Sequence, residues 1–224
     1  MWCMCRGGVL MSQYNDVDDG WLNTSSIVSL LSMFFFGFQW ALPGSDCYVD
    51  PDVYKRDLSA SMRPLAKRIQ WARALLAARF VFFPACTGQH WVLFLLDVPN
   101  WRLELYDSYR GTHTTIRWRI KCFLNDILLV AGRYTPPYRT AWQLVDVDIR
   151  LQMPRQTDYH SCGVFTVVTA LHRSAGLALS FDTYSINQFW RPWLASLAMS
   201  DTTDPNTLPS SLRIPPHMFS DIFG

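Results

Sequence analysis

The stretch FVFFPACTGQHWVLFLLDVPNWRLELYD, residues 80–107, contains three strand-like runs in close succession. The runs FVFF (80–83), WVLFLL (91–96) and WRLELY (101–106) are apolar and rich in aromatic residues. DVPN (97–100) separates the last two runs and has the composition of a four-residue turn. The stretch therefore predicts antiparallel strands joined by a hairpin.

Helical patterns surround this sheet. They cover about 24–37, 64–79, 114–130 and 182–198, and a further strand is predicted near 142–149. The segment GVFTVVTALH (163–172) fits either a strand or a helix, because its Val, Phe and Thr favour strands while its length permits a helix. The mixture of elements predicts an α/β or α+β protein.

The length of 224 residues and the 50% hydrophobic content predict one folded domain rather than a disordered chain. We expect a flexible N-terminal segment over 1–19, a single domain over 20–199 and a Pro-rich irregular tail over 200–224. The apolar run at 27–42 is broken by polar residues and follows a helix-capping NTSS, so we expect a buried helix rather than a membrane span. The first twenty residues lack the apolar segment of a signal peptide.

Charge and cysteine content exclude further classes. A net charge of +2 is too small for a domain whose main partner is nucleic acid. The basic residues between Arg63 and Arg79 are typical of a solvated helix face. The six cysteines contain no Cys-x-x-Cys pair, and Cys3 and Cys5 lack a His at zinc-site spacing, so we expect free thiols in a reducing compartment and no metal.

The hairpin predicts one chemically active pair. If Leu96 pairs with Trp101, the apolar stripe along one face of the two strands ends with His90 opposite Asp107. A carboxylate in that place would orient the imidazole and stabilise its protonated form. The pairing depends on the assumed register, since a slip of one residue would place Trp91 there instead.

A histidine oriented by a carboxylate can activate a thiol, and Cys162 is the best-placed cysteine. It lies in SCG, between the irregular loop MPRQTDYH and the apolar segment 163–172. If that segment is a helix, its N-terminus would favour the thiolate. His160, two residues before the cysteine, is an alternative base, whereas His172 would lie about 15 Å away along a helix.

Four motifs in order resemble the SUMO-specific (sentrin-specific) ubiquitin-like-protein proteases, papain-like thiol enzymes that share an active-site plan with the adenovirus protease. GQHW (88–91) resembles the family's His-Trp motif and LYDSY (105–109) its Tyr-Asp-Ser motif, 17 residues apart from His90 to Asp107. PRQTDYHSCG (154–163) resembles the block in which a Gln precedes the nucleophile by six residues. WLNT (21–24) resembles the family's Trp-Leu-Asn-Asp opening.

The resemblance implies a papain-like α+β fold, with helices packed around a central mixed sheet and the nucleophile at a helix N-terminus. It implies that His90 is the general base, Asp107 its orienter and Cys162 the nucleophile, without a cofactor. Gln156 would donate to the oxyanion beside the backbone N–H of Cys162. Trp91 and Trp21 would form the walls of a narrow passage for a Gly-Gly C-terminus.

The chain departs from the family pattern at Thr24, where the family commonly has an acidic residue that grips SUMO, and at Ser161, where Asp commonly precedes the Cys. The implied function is an intracellular, nuclear or cytoplasmic, monomeric thiol protease that cleaves after the Gly-Gly of a ubiquitin-like modifier, maturing precursors or releasing lysine conjugates. No nucleic-acid or membrane partner is expected. Two alternatives are a non-catalytic module that binds a ubiquitin-like protein and an acyltransferase with the same His-Asp-Cys order.

Overall fold

The structure, a computed structural model, describes residues 47–48, 65–130 and 152–199. Within these residues the strands are β1 (Cys47–Tyr48), β2 (Phe80–Thr87), β3 (His90–Asp97) and β4 (Arg102–Tyr106). The helices are α1 (Leu65–Ala77), α2 (Thr114–Val130), α3 (Cys162–Ala175), α4 (Thr183–Ser185) and α5 (Arg191–Met199), the last two joined by the π-helical turn Ile186–Trp190.

The four strands form one mixed sheet in the order β1-β2-β3-β4. β1 runs parallel to β2, whereas β2, β3 and β4 are antiparallel. The strands and helices are segregated along much of the chain, which confirms the predicted α+β class.

The predicted register of the β3–β4 hairpin is wrong by two residues. Leu96 pairs with Leu103, not with Trp101, and the last ladder pair before the turn joins Asp97 to Arg102. The turn therefore comprises residues 98–101, with Trp101 at a φ of 51°. The Asp97 carboxylate accepts the backbone N–H of Asn100 at 3.2 Å and so closes this turn. A shift of two residues keeps every side chain on its predicted face, because the side-chain period of a strand is two.

The sheet is covered on both faces, which explains why β3 is apolar at successive positions. Phe94 and Leu96 of β3 belong to the core cluster that contains Ile120 and Leu124 of α2. Leu93 and Leu95 point to the opposite face, into the cluster formed with α3. A strand buried on both sides needs apolar residues at odd and even positions alike.

The ambiguous segment 163–172 is helical and belongs to α3. The predicted helices at 64–79, 114–130 and 182–198 and the three strands of the hairpin region are confirmed. Cys86 is a residue of β2. The predicted helix at 24–37, the strand at 142–149, the segment 1–19 and the tail 200–224 lie outside the described residues. In the described part of the chain, none of the helices has the length and apolarity needed to cross a bilayer.

A buried charge cluster ties β4 to α3. Glu104 is 4% exposed and accepts a hydrogen bond from the Tyr106 hydroxyl at 2.6 Å. Its carboxylate also pairs with Arg102 at 3.1 Å and with Arg173 of α3 at 3.2 Å. Because α3 begins at Cys162 and Asp107 follows β4, the cluster anchors the two elements that carry these side chains.

Candidate active site

Asp107 lies directly after β4 and is 1% exposed. Its Oδ1 accepts from His90 Nε2 at 2.5 Å and from the Tyr109 backbone N–H at 2.8 Å. Its Oδ2 accepts from His113 Nε2 at 2.9 Å and from the Gly111 backbone N–H. Burial alone would raise the pKa of Asp107, but these hydrogen bonds outweigh it and hold the pKa well below its ordinary value. Asp107 is therefore ionised at neutral pH.

His90 is the first residue of β3 and directs Nε2 to Asp107. Burial lowers the pKa of His90, but hydrogen bonding and charge from Asp107 and Cys162 outweigh burial and raise the pKa to about 9. Since Asp107 occupies Nε2, the buried Nδ1 is the ring nitrogen left for the thiol of Cys162. The ring also lies against Tyr109, with ring centroids 4.8 Å apart. His90 is thus poised as an imidazolium between a carboxylate and a thiol.

The His90–Asp107 contact forms although the observed hairpin register differs by two residues from the predicted one. The β3–β4 ladder ends with Leu93 opposite Tyr106, so neither His90 nor Asp107 belongs to a ladder pair between these strands. The chain turns after Tyr106, where the Asp107 backbone carbonyl accepts from the Arg110 N–H at 3.1 Å. This turn brings the Asp107 carboxylate to the His90 ring.

Cys162 is the first residue of α3, as predicted, and is a free thiol at 1% exposure. The N-cap is Ser161, whose side chain makes no capping hydrogen bond to the helix. The backbone N–H groups of a first helical turn favour negative charge beside them. The position therefore favours negative charge, such as that of an oxyanion formed on a substrate carbonyl attacked by the thiol.

Gln156 is 2% exposed, and its amide orientation is determined by two partners. Its Oε1 accepts from the Ser108 hydroxyl at 2.5 Å, and its Nε2 donates to the Asp158 carbonyl at 2.8 Å. A side-chain amide carries two N–H donors, and the Tyr109 hydroxyl is a further hydrogen-bond partner of this amide. Ser108 directly follows Asp107, and it therefore links Gln156 to the carboxylate of the site.

The loop before Cys162 is held by the Asp158 side chain. Its carboxylate accepts from the Ser161 backbone N–H at 3.0 Å, the Ser161 hydroxyl at 2.6 Å and Asn187 Nδ2 at 2.9 Å. Arg191 donates to the Ser161 hydroxyl at 3.1 Å. Burial acts to raise the pKa of Asp158, but these hydrogen bonds and nearby His160 lower it overall. The serine at 161 is thus bonded to a carboxylate three residues upstream.

The remaining histidines of the described chain have other partners. His160 Nε2 lies 3.8 Å from Asp158 Oδ2. His172 Nδ1 bonds to the Ala178 carbonyl at 2.7 Å, and its ring packs against Phe181 and Trp190. His160 therefore faces the Asp158 carboxylate of the loop, and His172 packs against the hydrophobic core.

Trp91 is 4% exposed and belongs to the same core cluster as Cys162 and Phe165. Its role as a passage wall stays a prediction. Trp21 and Thr24 lie outside the described residues.

Three residues of the site were not singled out from the sequence: Ser108, Asp158 and His113. Ser108 lies inside the LYDSY motif and Asp158 inside the block before Cys162, so their motif positions were available signals. His113 follows Asp107 by six residues in an irregular stretch, and no spacing rule points to it. The ligand-type atoms of His90, Asp107 and His113 lie within 4.8 Å of one another. Because these atoms are hydrogen-bonded together, they form a closed network rather than an open ligand set.

Known proteins resemble this chain in sequence pattern and in fold. The family model described as "Ulp1 protease family, C-terminal catalytic domain" matches residues 45–196. No curated protein sequence shows a significant match.

Several solved structures are similar to this chain in fold, among them the following three. SUMO protease Ulp1 with its catalytic cysteine oxidised to a sulfonic acid aligns with a TM-score of 0.61 and 19% identity, covering 82% of this chain and 80% of that one. The Ulp1-like SUMO protease catalytic domain of Chaetomium thermophilum aligns with a TM-score of 0.59 and 20% identity, covering 80% of this chain and 72% of that one. The Ulp1 protease domain in complex with Smt3, the yeast ortholog of SUMO, aligns with a TM-score of 0.58 and 19% identity, covering 82% of this chain and 79% of that one. These similarities confirm the predicted papain-like α+β fold.

Proposed function

Because this chain belongs to the Ulp1 protease family, we propose that it is a thiol protease that cleaves after the C-terminal Gly-Gly of a ubiquitin-like modifier of the SUMO type. The observation that carries the proposal is the environment of the His90 ring. Its Nε2 lies 2.5 Å from Asp107 Oδ1, and Asp107 and Cys162 both act to raise the pKa of His90. A thiol beside an imidazolium is the arrangement that nucleophilic catalysis by cysteine requires.

In the proposed reaction the Cys162 thiolate attacks the carbonyl carbon of the terminal glycine and forms a tetrahedral oxyanion. An N–H of the Gln156 amide and the backbone N–H of Cys162 donate to this oxyanion. His90 gives its proton to the leaving amine as the C–N bond breaks, which leaves a thioester on Cys162. Neutral His90 then takes a proton from water, which hydrolyses the thioester and restores the thiolate–imidazolium pair.

Gln156→Ala tests the oxyanion role. We expect kcat to fall by about 10²- to 10³-fold, the typical loss on removing one oxyanion donor. Thr157→Ala is the matched control, because only its backbone N–H has a described contact, to Thr183 Oγ1 at 2.9 Å, and this variant should keep wild-type turnover. A Gln156→Ala enzyme whose kcat stays within about threefold of the wild-type value would exclude this role.

The substrate partner is proposed from both the family and its solved members. The similar structures are described as SUMO proteases, and one holds Smt3. We propose a ubiquitin-like protein and its lysine conjugates as partners of a monomeric enzyme in the nucleus or cytoplasm. Gly-Gly lacks side chains, so a passage lined by Trp91 and Trp21 would admit it, and selection among modifiers would depend on their globular surfaces.

Thr24→Asp tests that selection. Thr24 replaces a carboxylate that would pair with a basic patch on SUMO, and a charge-assisted contact contributes about 1.5–3 kcal/mol, or roughly 10- to 100-fold in affinity. We therefore expect wild type to have a relaxed preference or to favour a modifier other than the usual SUMO, and Thr24→Asp to shift cleavage toward SUMO. The measurement is kcat/KM on SUMO and ubiquitin substrates. Strong SUMO selectivity in wild type, unchanged by Thr24→Asp, would contradict the prediction.

The experiment that tests the whole proposal is labelling by a panel of ubiquitin-like proteins with C-terminal electrophiles, detected by intact mass. We expect one covalent adduct per chain, formed with at least one ubiquitin-like probe of the panel. Tight binding without an adduct would instead indicate a non-catalytic module, and acylation by acetyl-CoA would indicate an acyltransferase.

A further inference from the structure

The Asp107 carboxylate is shared by two histidine rings. His90 Nε2 donates to Oδ1 at 2.5 Å and His113 Nε2 donates to Oδ2 at 2.9 Å. Each oxygen also accepts one backbone N–H, from Tyr109 and from Gly111 respectively. An ionised carboxylate has about four lone-pair sites, and four donors occupy them here. His113 thus completes the hydrogen bonding of a buried charge.

Gly111 indicates that the backbone is adapted to the His113 ring. A Cβ atom at position 111 would lie 2.7 Å from His113 Nε2 and 3.0 Å from Asp107 Oδ2. No side chain fits at that separation unless the ring moves, so glycine is needed where His113 meets Asp107. His113 itself has a φ of 47°, a left-handed conformation that non-glycine residues adopt at a cost in free energy.

Asp107 determines that Nε2 of His113 carries a proton, because the ionised carboxylate only accepts. On the other side of the ring, Thr87 Oγ1 lies 3.2 Å from His113 Nδ1. The Thr87 hydroxyl also donates to the His90 carbonyl at 3.4 Å, so Thr87 links the two histidines. Among the described residues, the titratable groups facing His113 are Asp107 and His90, whose ring centroid is 5.9 Å away. The surroundings therefore direct the Nε2–H of His113 to the Asp107 carboxylate.

We propose that His113 is a positioning residue that shares the Asp107 carboxylate with His90 and limits how strongly Asp107 holds the His90 proton. The Nε2–H of His113 draws part of the carboxylate's charge toward Oδ2, away from His90. His90 must release its proton to the leaving amine, so a weaker hold assists that step. The inference rests on the proposed function, since His113 acts on Cys162 only through His90.

The test is the pH dependence of Cys162 alkylation by iodoacetamide, followed by intact mass on the full chain with no protein substrate. The alkaline transition of this rate reports loss of the His90 proton, and we expect it near pH 9 in the wild type. His113→Leu, which removes the donor, should move the transition upward by about half a pH unit or more. His113→Gln, which keeps a neutral N–H donor, should restore the wild-type transition.

Gly111→Ala reaches the same contact by a second route, because its Cβ would push the intact ring away from Asp107. It should also move the transition upward. Thr115→Ala, an exposed change in the first turn of α2, is the matched control and should leave the transition in place. Thermal unfolding checks that each variant is folded.

An unchanged or lowered transition in folded His113→Leu would overturn the assignment, because a merely structural histidine would alter stability alone. The failure of the proposed function would look different. In that case the wild type would form no covalent adduct with any ubiquitin-like probe, whatever residue stands at position 113.

Discussion

Cys162→Ser is expected to abolish covalent labelling by a ubiquitin-like C-terminal electrophile and all measurable turnover. The thiol of Cys162 is the one placed at the start of α3 and coupled to His90. A serine hydroxyl is far less acidic than a thiol, so His90 cannot convert it into a comparable nucleophile. Intact mass of the protein after exposure to the probe measures the loss directly.

Cys86→Ser and Cys122→Ser are the matched controls. Both cysteines are free and only partly buried, so they are more accessible to a non-selective reagent than Cys162. Cys86 lies in β2 and donates to the Gly88 carbonyl of the following turn, and Cys122 belongs to α2. Both variants should keep full labelling. Persistent labelling of Cys162→Ser, or its loss in either control, would rule out Cys162 as the nucleophile.

His90→Ala is expected to remove nearly all turnover, because it deletes both the base and the partner that holds the thiolate. Asp107→Asn is the finer change. It keeps the shape of the side chain but removes the negative charge that, together with Cys162, raises the pKa of His90 to about 9. Nδ2 of the new amide would also face the Gly111 N–H or the Tyr109 N–H, so that two donors meet.

We therefore expect Asp107→Asn to fold but to lose up to about 10⁴-fold in kcat, the loss seen when an orienting carboxylate becomes an amide. The alkaline transition of Cys162 alkylation should move to lower pH, since the folded-state pKa of His90 falls toward its ordinary value of 6.5. This direction is opposite to that expected of His113→Leu. An Asp107→Asn enzyme with wild-type kcat and an unshifted transition would remove Asp107 from its assigned role.

The secondary-structure elements and the family motifs could be recognised from the sequence alone, because both depend on residues that are close along the chain. The strand runs of 80–107 are visible as continuous apolar segments, and the motifs around His90, Asp107 and Cys162 are short and ordered. The face on which the hairpin residues lie was also predictable, since a strand's period of two survives a register error of two residues.

Tertiary structure decided the register and the full environment of Asp107. The register depends on how Trp101 and Asp97 close the turn, and several turns fit the same four residues. Whether 163–172 is a helix was settled by packing, because it is buried between the sheet and the helical segment 183–199. The second histidine partner of Asp107 could not be predicted from the sequence. His113 reaches the carboxylate through an irregular turn that needs glycine at position 111, and Thr87 of β2 lies beside its ring. Contacts between segments that are distant or irregular leave no periodic trace in a sequence, so only the folded chain reveals them.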